Sequence, residues 1–235
     1  MNRFSYKNVY GTDDYNKFID KQLYLIDDKF LSETENYELS DGFFLEINTY
    51  EEEKMKSHIV AIVTAQKVTL KNADRTIYEY YCFYDHIKPF TEIIHHKNGH
   101  RYYPFHIDLY GISFLDVDTL EAYNYIPEGC QHNCEYPYGE SFIITDIHYD
   151  IESNLIAYGG CYWAFPFDVM VGDLSDPLNF NPYLMSLNDT KYDYYDIDFK
   201  EWKNNRLYVS CDKKEKSLSA EKLRNMINEL TMKGK

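Results

Sequence analysis

Residues 101–129 read RYYPFHIDLYGISFLDVDTLEAYNYIPEG. Within them, 102–109 alternates aromatic or aliphatic with polar positions, and 112–117 is a β-branched and aromatic run that ends in acids. Asp118-Thr119-Leu120-Glu121 then reads as a turn into a third run at 122–126, so the stretch predicts three short strands of one antiparallel sheet. Upstream, the period-2 pattern predicts strands over 43–50, 57–70 and 76–84. The second and third are joined as a hairpin through the polar cluster 71–75, with Asn72 and Asp74 placing the turn. Glu51-Glu52-Glu53-Lys54 reads as a solvated loop. Downstream, 142–149, 155–164, 168–174 and 183–187 are four consecutive strand-like runs, followed by 194–199 and 206–211.

Two segments carry helical periodicity. At the N-terminus Thr12 can cap a helix in which Tyr15, Phe18, Ile19, Leu23 and Ile26 share a face, although 21–31 also reads as a strand; residues 1–40 stay the least defined part of the chain. At the C-terminus, 217–232 predicts an amphipathic helix with Leu223, Met226, Ile227 and Leu230 on one side.

A weak repeat links the sheet units. Thr91-Glu92-Ile93, Thr145-Asp146-Ile147 and Tyr195-Asp196-Ile197 each begin a strand that leads into an Asn-containing turn, at Asn98-Gly99, Ser153-Asn154 and Asn204-Asn205. Successive acids stand 54 and 50 residues apart, close to the ~40–50 residues of a propeller blade. Asn98-Gly99 predicts a two-residue type I′ turn, which needs positive φ at both positions. The segments Ile112-Ser113-Phe114-Leu115-Asp116-Val117-Asp118-Thr119 and Ile126-Pro127-Glu128-Gly129 resemble one repeat of the YVTN-type, WD-like β-propellers. The resemblance implies an all-β, propeller-like domain over 1–235, of about four antiparallel blades forming a closed ring or an open fan, with a C-terminal helix. It implies no particular activity, because such repeats host many functions.

Composition strengthens the sheet reading: 25 Tyr and 14 Phe stand against 10 Gly. The net charge of −15 disfavours nucleic acid and anionic membranes as partners. Only the C-terminal segment 200–235 leans basic, with ten Lys and Arg against five acids. No apolar run approaches the ~20 residues of a membrane span, residues 1–10 carry no charged-then-apolar signal, and five irregularly spaced Cys fit a reducing compartment; the expected location is the cytoplasm.

Four constellations can carry chemistry, each beside a purely structural reading. Glu92, Asp146 and Asp196 converge on a hard cation if their strands line a common channel; otherwise each fixes its own turn. His86, His95, His96, His100 and His106 are dense enough for zinc or for acid–base work, but the spacing matches no helical metal motif. Cys130-Gln131-His132-Asn133-Cys134 offers soft ligands but only one Cys pair. In 159–167, GGCYWAFPF, the aromatic residues Tyr162, Trp163 and Phe165 either pack between sheets or form a stacking surface, and Cys161 with His148 is a possible nucleophile and base. Phosphate-cradling loops, dinucleotide fingerprints and Gly-x-Ser-x-Gly elbows are missing from the sequence. The expectation is a non-catalytic binding or interaction module for a protein or small ligand, with no cofactor; the alternative is a hydrolase that uses a metal or the Cys–His pair.

Overall fold

The computed structural model describes residues 7–56, 59–83, 88–128, 141–163, 165–188 and 196–233. The chain is mostly β, in four antiparallel sheets with a helix at each end. The first sheet holds β1 (Leu31–Glu38), β2 (Phe43–Lys56), β3 (Ile59–Asn72) and β4 (Arg75–Cys82); the second holds β5 (Ile94–His95), β6 (Arg101–Phe105), β7 (Ser113–Asp116) and β8 (Ala122–Tyr123). The third holds β9 (Ile143–Asp150), β10 (Leu155–Cys161), β11 (Asp168–Asp173) and β12 (Met185–Ser186). The fourth holds β13 (Ile197–Lys203), β14 (Arg206–Cys211) and β15 (Lys214–Ser219), and α2 (Ala220–Lys233) follows it. In every sheet the strands lie side by side in chain order, so short local turns suffice to build each unit.

The cores lie between consecutive sheets, and strand alternation explains how one strand feeds two of them. Tyr102 and Phe114 face the third sheet beside Ile156 and Tyr158, whereas their neighbours Tyr103 and Leu115 face the first, beside Leu45 and Val68. Leu155 and Ala157, which flank Ile156, turn the other way and join Val209 of the fourth sheet and Leu223 and Ile227 of α2. Central strands buried on both faces carry apolar side chains at nearly every position, which is why β10 reads as a continuous apolar run. Among the described residues, no buried apolar cluster joins the fourth sheet to the first.

The N-terminal helix forms as α1 (Asp13–Gln22): the Thr12 hydroxyl accepts from the Tyr15 amide, Asp13 and Asp14 sit at its positive end, and Tyr15 and Phe18 are buried. The strand alternative over 21–31 is not adopted.

Three local expectations need correction. The run Glu51 to Lys54 is not a loop but part of β2, paired residue by residue with β3 in an arm that projects past β1, whose register ends at Tyr50. Ladder pairing and the exposed geometry of a two-stranded arm accept charged side chains on both faces. Asn98-Gly99 is not a type I′ turn. His96 and His100 close a three-residue loop in which only Gly99 has positive φ, at 89°, and the Asn98 side chain accepts from the His100 amide. The type I′ pattern of two positive φ angles occurs instead at Asn204 and Asn205, with φ of 51° and 56° between the paired residues Lys203 and Arg206, and at Asp212 and Lys213, with φ of 48° and 62° between the paired residues Cys211 and Lys214. Finally, 214–219 is strand β15, and the C-terminal helix begins at Ala220, with the Ser219 hydroxyl accepting from the Lys222 amide. The polar strand β1 was not expected at all.

Candidate functional site

The chain leaves β10 after Cys161 and turns back into β11 at Asp168. A turn closes here, with the Phe165 amide donating to the Tyr162 carbonyl at 3.0 Å. Tyr162 points inward, edge-on to Phe142 at 5.5 Å between ring centres. The other rings do not pack between sheets: Trp163, Phe165 and Phe167 are 56%, 42% and 48% exposed. They are nonetheless held in place. The Trp163 indole N–H donates to the Tyr110 hydroxyl at 2.8 Å. Asp196 accepts from the Phe167 amide at 3.0 Å, and the Ile197 amide donates to the Phe167 carbonyl at 2.9 Å. Asp196 therefore fixes the rim of this aromatic surface.

The loop between β6 and β7 supports the rim from below. Tyr110 and Leu109 are buried against Ile143. His106 donates from Nδ1 to the Gly111 carbonyl at 3.1 Å, and burial pushes its pKa down to about 4, so the ring is neutral at physiological pH. Asp108 accepts from the Tyr110 amide, and burial pushes its pKa up to about 7. Gly111, at φ 86°, carries the chain through this loop; a Cβ there would meet Pro127 at 3.0 Å.

Asp146 and His148 do meet, as neighbours on one face of β9. His148 donates from Nε2 to Asp146 at 2.9 Å, and this bond holds the Asp146 carboxyl below the usual carboxylate range. The imidazole lies flat on Phe199 of the next sheet, 3.6 Å between ring centres and 6° from parallel, and the Trp202 indole donates to the His148 carbonyl at 3.0 Å. The pair thus ties the third sheet to the fourth. Cys161 is not its partner. In the ladder Cys161 faces Ile143 while His148 faces Ala157, four residues away along β10, or about 13 Å at the rise of a strand. The Cys–His pairing fails on register.

Glu92 is exposed in the segment leading to β5 and does not join Asp146 and Asp196. Among the described residues, one group of His, Cys, Asp and Glu brings three ligating atoms within 4.8 Å: His100, Asp116 and Asp118. Its carboxylates already have occupants. Arg101 donates to Asp118 from Nε at 3.1 Å and from Nη2 at 2.5 Å, while Asp116 accepts from His100 Nδ1 at 2.7 Å and from the amides of Asp118 and Thr119. A cation there would have to displace the guanidinium.

The remaining histidines are dispersed. His95 pairs with Asp41 at 2.9 Å, and buried His96 donates to the Leu174 carbonyl at 2.8 Å and stacks on Tyr149. His86, Cys130, His132, Cys134, Ala164 and Tyr195 lie outside the described residues. Tyrosines of α1 and β4 were missed by sequence reasoning and line a separate cleft. Their signal was the alternation of Tyr78 and Tyr80 with Tyr81 and Phe83 beside an N-terminal helix bearing Tyr15.

No helix among the described residues is long and apolar enough to cross a membrane. Comparison with family models, with curated proteins and with solved structures returned no match.

Proposed function

We propose that the chain is a non-catalytic binding module whose contact surface is the aromatic rim of Trp163, Phe165 and Phe167, and whose partner is a protein or small ligand. The observation that carries this reading is that three large rings stand exposed while the Trp163 indole N–H is held by Tyr110, the Phe165 amide by the Tyr162 carbonyl and the Phe167 amide by Asp196. Rigid aromatic side chains lose little entropy on contact and bring large apolar area, which is why they dominate binding surfaces. On this reading the four sheets are blades of a propeller-like open fan, supported by strand order within each sheet and by cores between consecutive sheets. The acidic charge points away from polyanionic partners, and Cys82, Cys161 and Cys211, which form no disulfide, accord with the cytoplasm. A hydrolase reading loses support because Cys161 and His148 are out of register and the repeated acids are not gathered.

The test is selection of peptides from a displayed library against the purified chain, followed by affinity measurements on Trp163→Ala and Phe165→Ala. The reading expects selected ligands to lose about tenfold or more in affinity to each variant, with melting temperature unchanged. Ligands that bind both variants as tightly as the wild type would place the contact surface elsewhere.

A further inference from the structure

The two strands of the arm differ in what they present to a partner. β2 carries the charged run Glu51-Glu52-Glu53-Lys54, and Tyr24, in the turn that follows α1, reaches it. The Tyr24 hydroxyl donates to Glu52 at 2.7 Å and accepts from Lys54, which also pairs with Glu52 at 3.2 Å. Charged side chains of this kind blunt an exposed strand edge. The facing part of β3 is different. Among the described residues, its pairing with β4 starts only at Gln66, so 59–65 are paired on the β2 side alone. β4 ends at Cys82, and beyond it the Phe83 ring packs edge-on to Phe18 of α1, 6.5 Å between centres.

The open stretch 59–65 reads IVAIVTA, with no charge, no proline and mostly β-branched residues. Such a segment on a free edge is a template for another strand. Beside that edge lies an apolar strip. Met55 and Val60 stand opposite each other in the ladder, Ile62 follows on the same face, and the three are 81%, 57% and 60% exposed.

With no charge to offer, this edge favours a neutral, β-branched strand, and the chain's own β3 is one. Ile62 is the midpoint of the open stretch. Antiparallel pairing with a second copy about Ile62 sets Val60 opposite Thr64 and Ala61 opposite Val63. Every residue keeps its face, so the apolar strips of the two copies join.

Charge separates the two ways in which copies could pair. Pairing through β2 about the middle of its acidic run sets carboxylate against carboxylate. Pairing through β3 leaves Glu53, which sits opposite Ile62 on β2, three strand spacings from its copy. That is about 14 Å, beyond the ~10 Å over which exposed charges act at 0.1 M salt. The pairing occupies both β3 edges and leaves the charged β2 strands outermost, so the assembly closes at two chains.

We propose that the chain forms a two-fold dimer through the open edge of β3, with 60–64 of two copies paired antiparallel about Ile62 in one four-stranded ribbon. The dimer does not rest on the aromatic rim, none of whose residues lies in the arm.

The experiment is sedimentation velocity of the full chain up to about 200 µM, in low and in high salt. The contact is small, so the dimer is expected to be weak, half-formed near roughly 10 µM. Each copy carries a net charge of −15, so raising the salt should tighten it several-fold. Ile62→Lys puts like charges face to face on the two-fold axis and should weaken the dimer by about tenfold or more, while Trp163→Ala leaves it unchanged. Ile62 is exposed, so the Lys variant is expected to fold, and melting curves at low concentration check this. Cross-linking reads the register separately, with the wild type as control for the native cysteines. Ile62→Cys stands about 5 Å from its own copy and should be captured by a short thiol cross-linker, whereas Thr64→Cys, about 14 Å from its copy, should not. A chain that stays monomeric at about 200 µM, a dimer that survives Ile62→Lys, or equal cross-linking of the two Cys variants would overturn the proposal.

Discussion

The carboxylate of Asp146 lies over the α-carbon of Gly159, its partner across the β9–β10 ladder: a Cβ on Gly159 would sit 2.6 Å from the Asp146 carboxyl carbon. The glycine thus makes room for the acid that holds His148, and His148 in turn stacks on Phe199 of the next sheet. Gly159→Ala is expected to push the carboxylate off its place and cost about 1–3 kcal/mol, the usual range for overpacking. Because the clash needs both side chains, Asp146→Ala combined with Gly159→Ala should cost less than the sum of the two. A urea-denaturation double-mutant cycle measures this coupling, and strict additivity would show that the two residues do not interact.

Asp116 organises the turn between β7 and β8. Its side chain is 3% exposed; Oδ1 accepts from the amides of Asp118 at 2.9 Å and Thr119 at 3.1 Å, and Oδ2 accepts from His100 at 2.7 Å. Asp116→Ala strands two amides and an imidazole, and is expected to destabilise by about 2–4 kcal/mol, whereas Asp116→Asn keeps one acceptor and costs about half as much. Burial shields these bonds from counter-ions, so both losses should change little between low and high salt in chemical denaturation.

This turn also shows what the sequence made legible. The run from Ile112 through Asp116 to Thr119 announced strand, acid and turn in order, and the same reading located the third sheet strand by strand, because its residues alternate between two cores. It failed where burial does not write the pattern. β1 is an edge strand with most side chains in water, and Glu51 to Lys54 lie in a two-stranded arm, so neither carries an apolar signature even though each is paired along one side of its backbone. β15 escaped for the same reason, since Lys214, Glu215 and Lys216 mask it. Of the candidate site, the aromatic composition of 159–167 was visible, but not which rings face water: Tyr162 and Trp163 are neighbours, and only the path of the turn sends one inward and one out. The Cys161–His148 idea joined the right strands in the wrong register, a distinction no single sequence records.

Asn204 and Asn205 make a quantitative test of turn chemistry. Both have positive φ, a region that costs most L-residues about 1–2 kcal/mol and that Asn tolerates better. Asn205→Ala is expected to destabilise by about 1 kcal/mol and lower the melting temperature by roughly 2–4 °C. Asn205→Gly should match or slightly exceed the wild type. Calorimetry that ranks alanine level with glycine would contradict the type I′ assignment.

The buried pair His106 and Asp108 gives the last prediction, because the two groups bias stability in opposite directions. His106 titrates at about 4 in the folded chain against a reference of 6.5. Between those values the unfolded chain binds more protons, so the contribution of His106 to stability rises with pH. Asp108 titrates at about 7 against 3.8; there the folded chain keeps the proton, so its contribution is largest below pH 4 and is lost as pH rises to 7. From pH 4 to 6.5 the two slopes oppose each other. Removing the acid with Asp108→Asn unmasks the imidazole, and the stability of the variant relative to wild type should climb by about 3 kcal/mol between pH 4 and 7. His106→Asn should do the reverse, its relative stability falling by about 3 kcal/mol from pH 4 to 6.5. Urea denaturation at half-unit steps of pH, taken as variant minus wild type, cancels the common contribution of the other carboxylates. Differences that do not change with pH would mean that neither group is buried in the way its surroundings between β6 and β7 require.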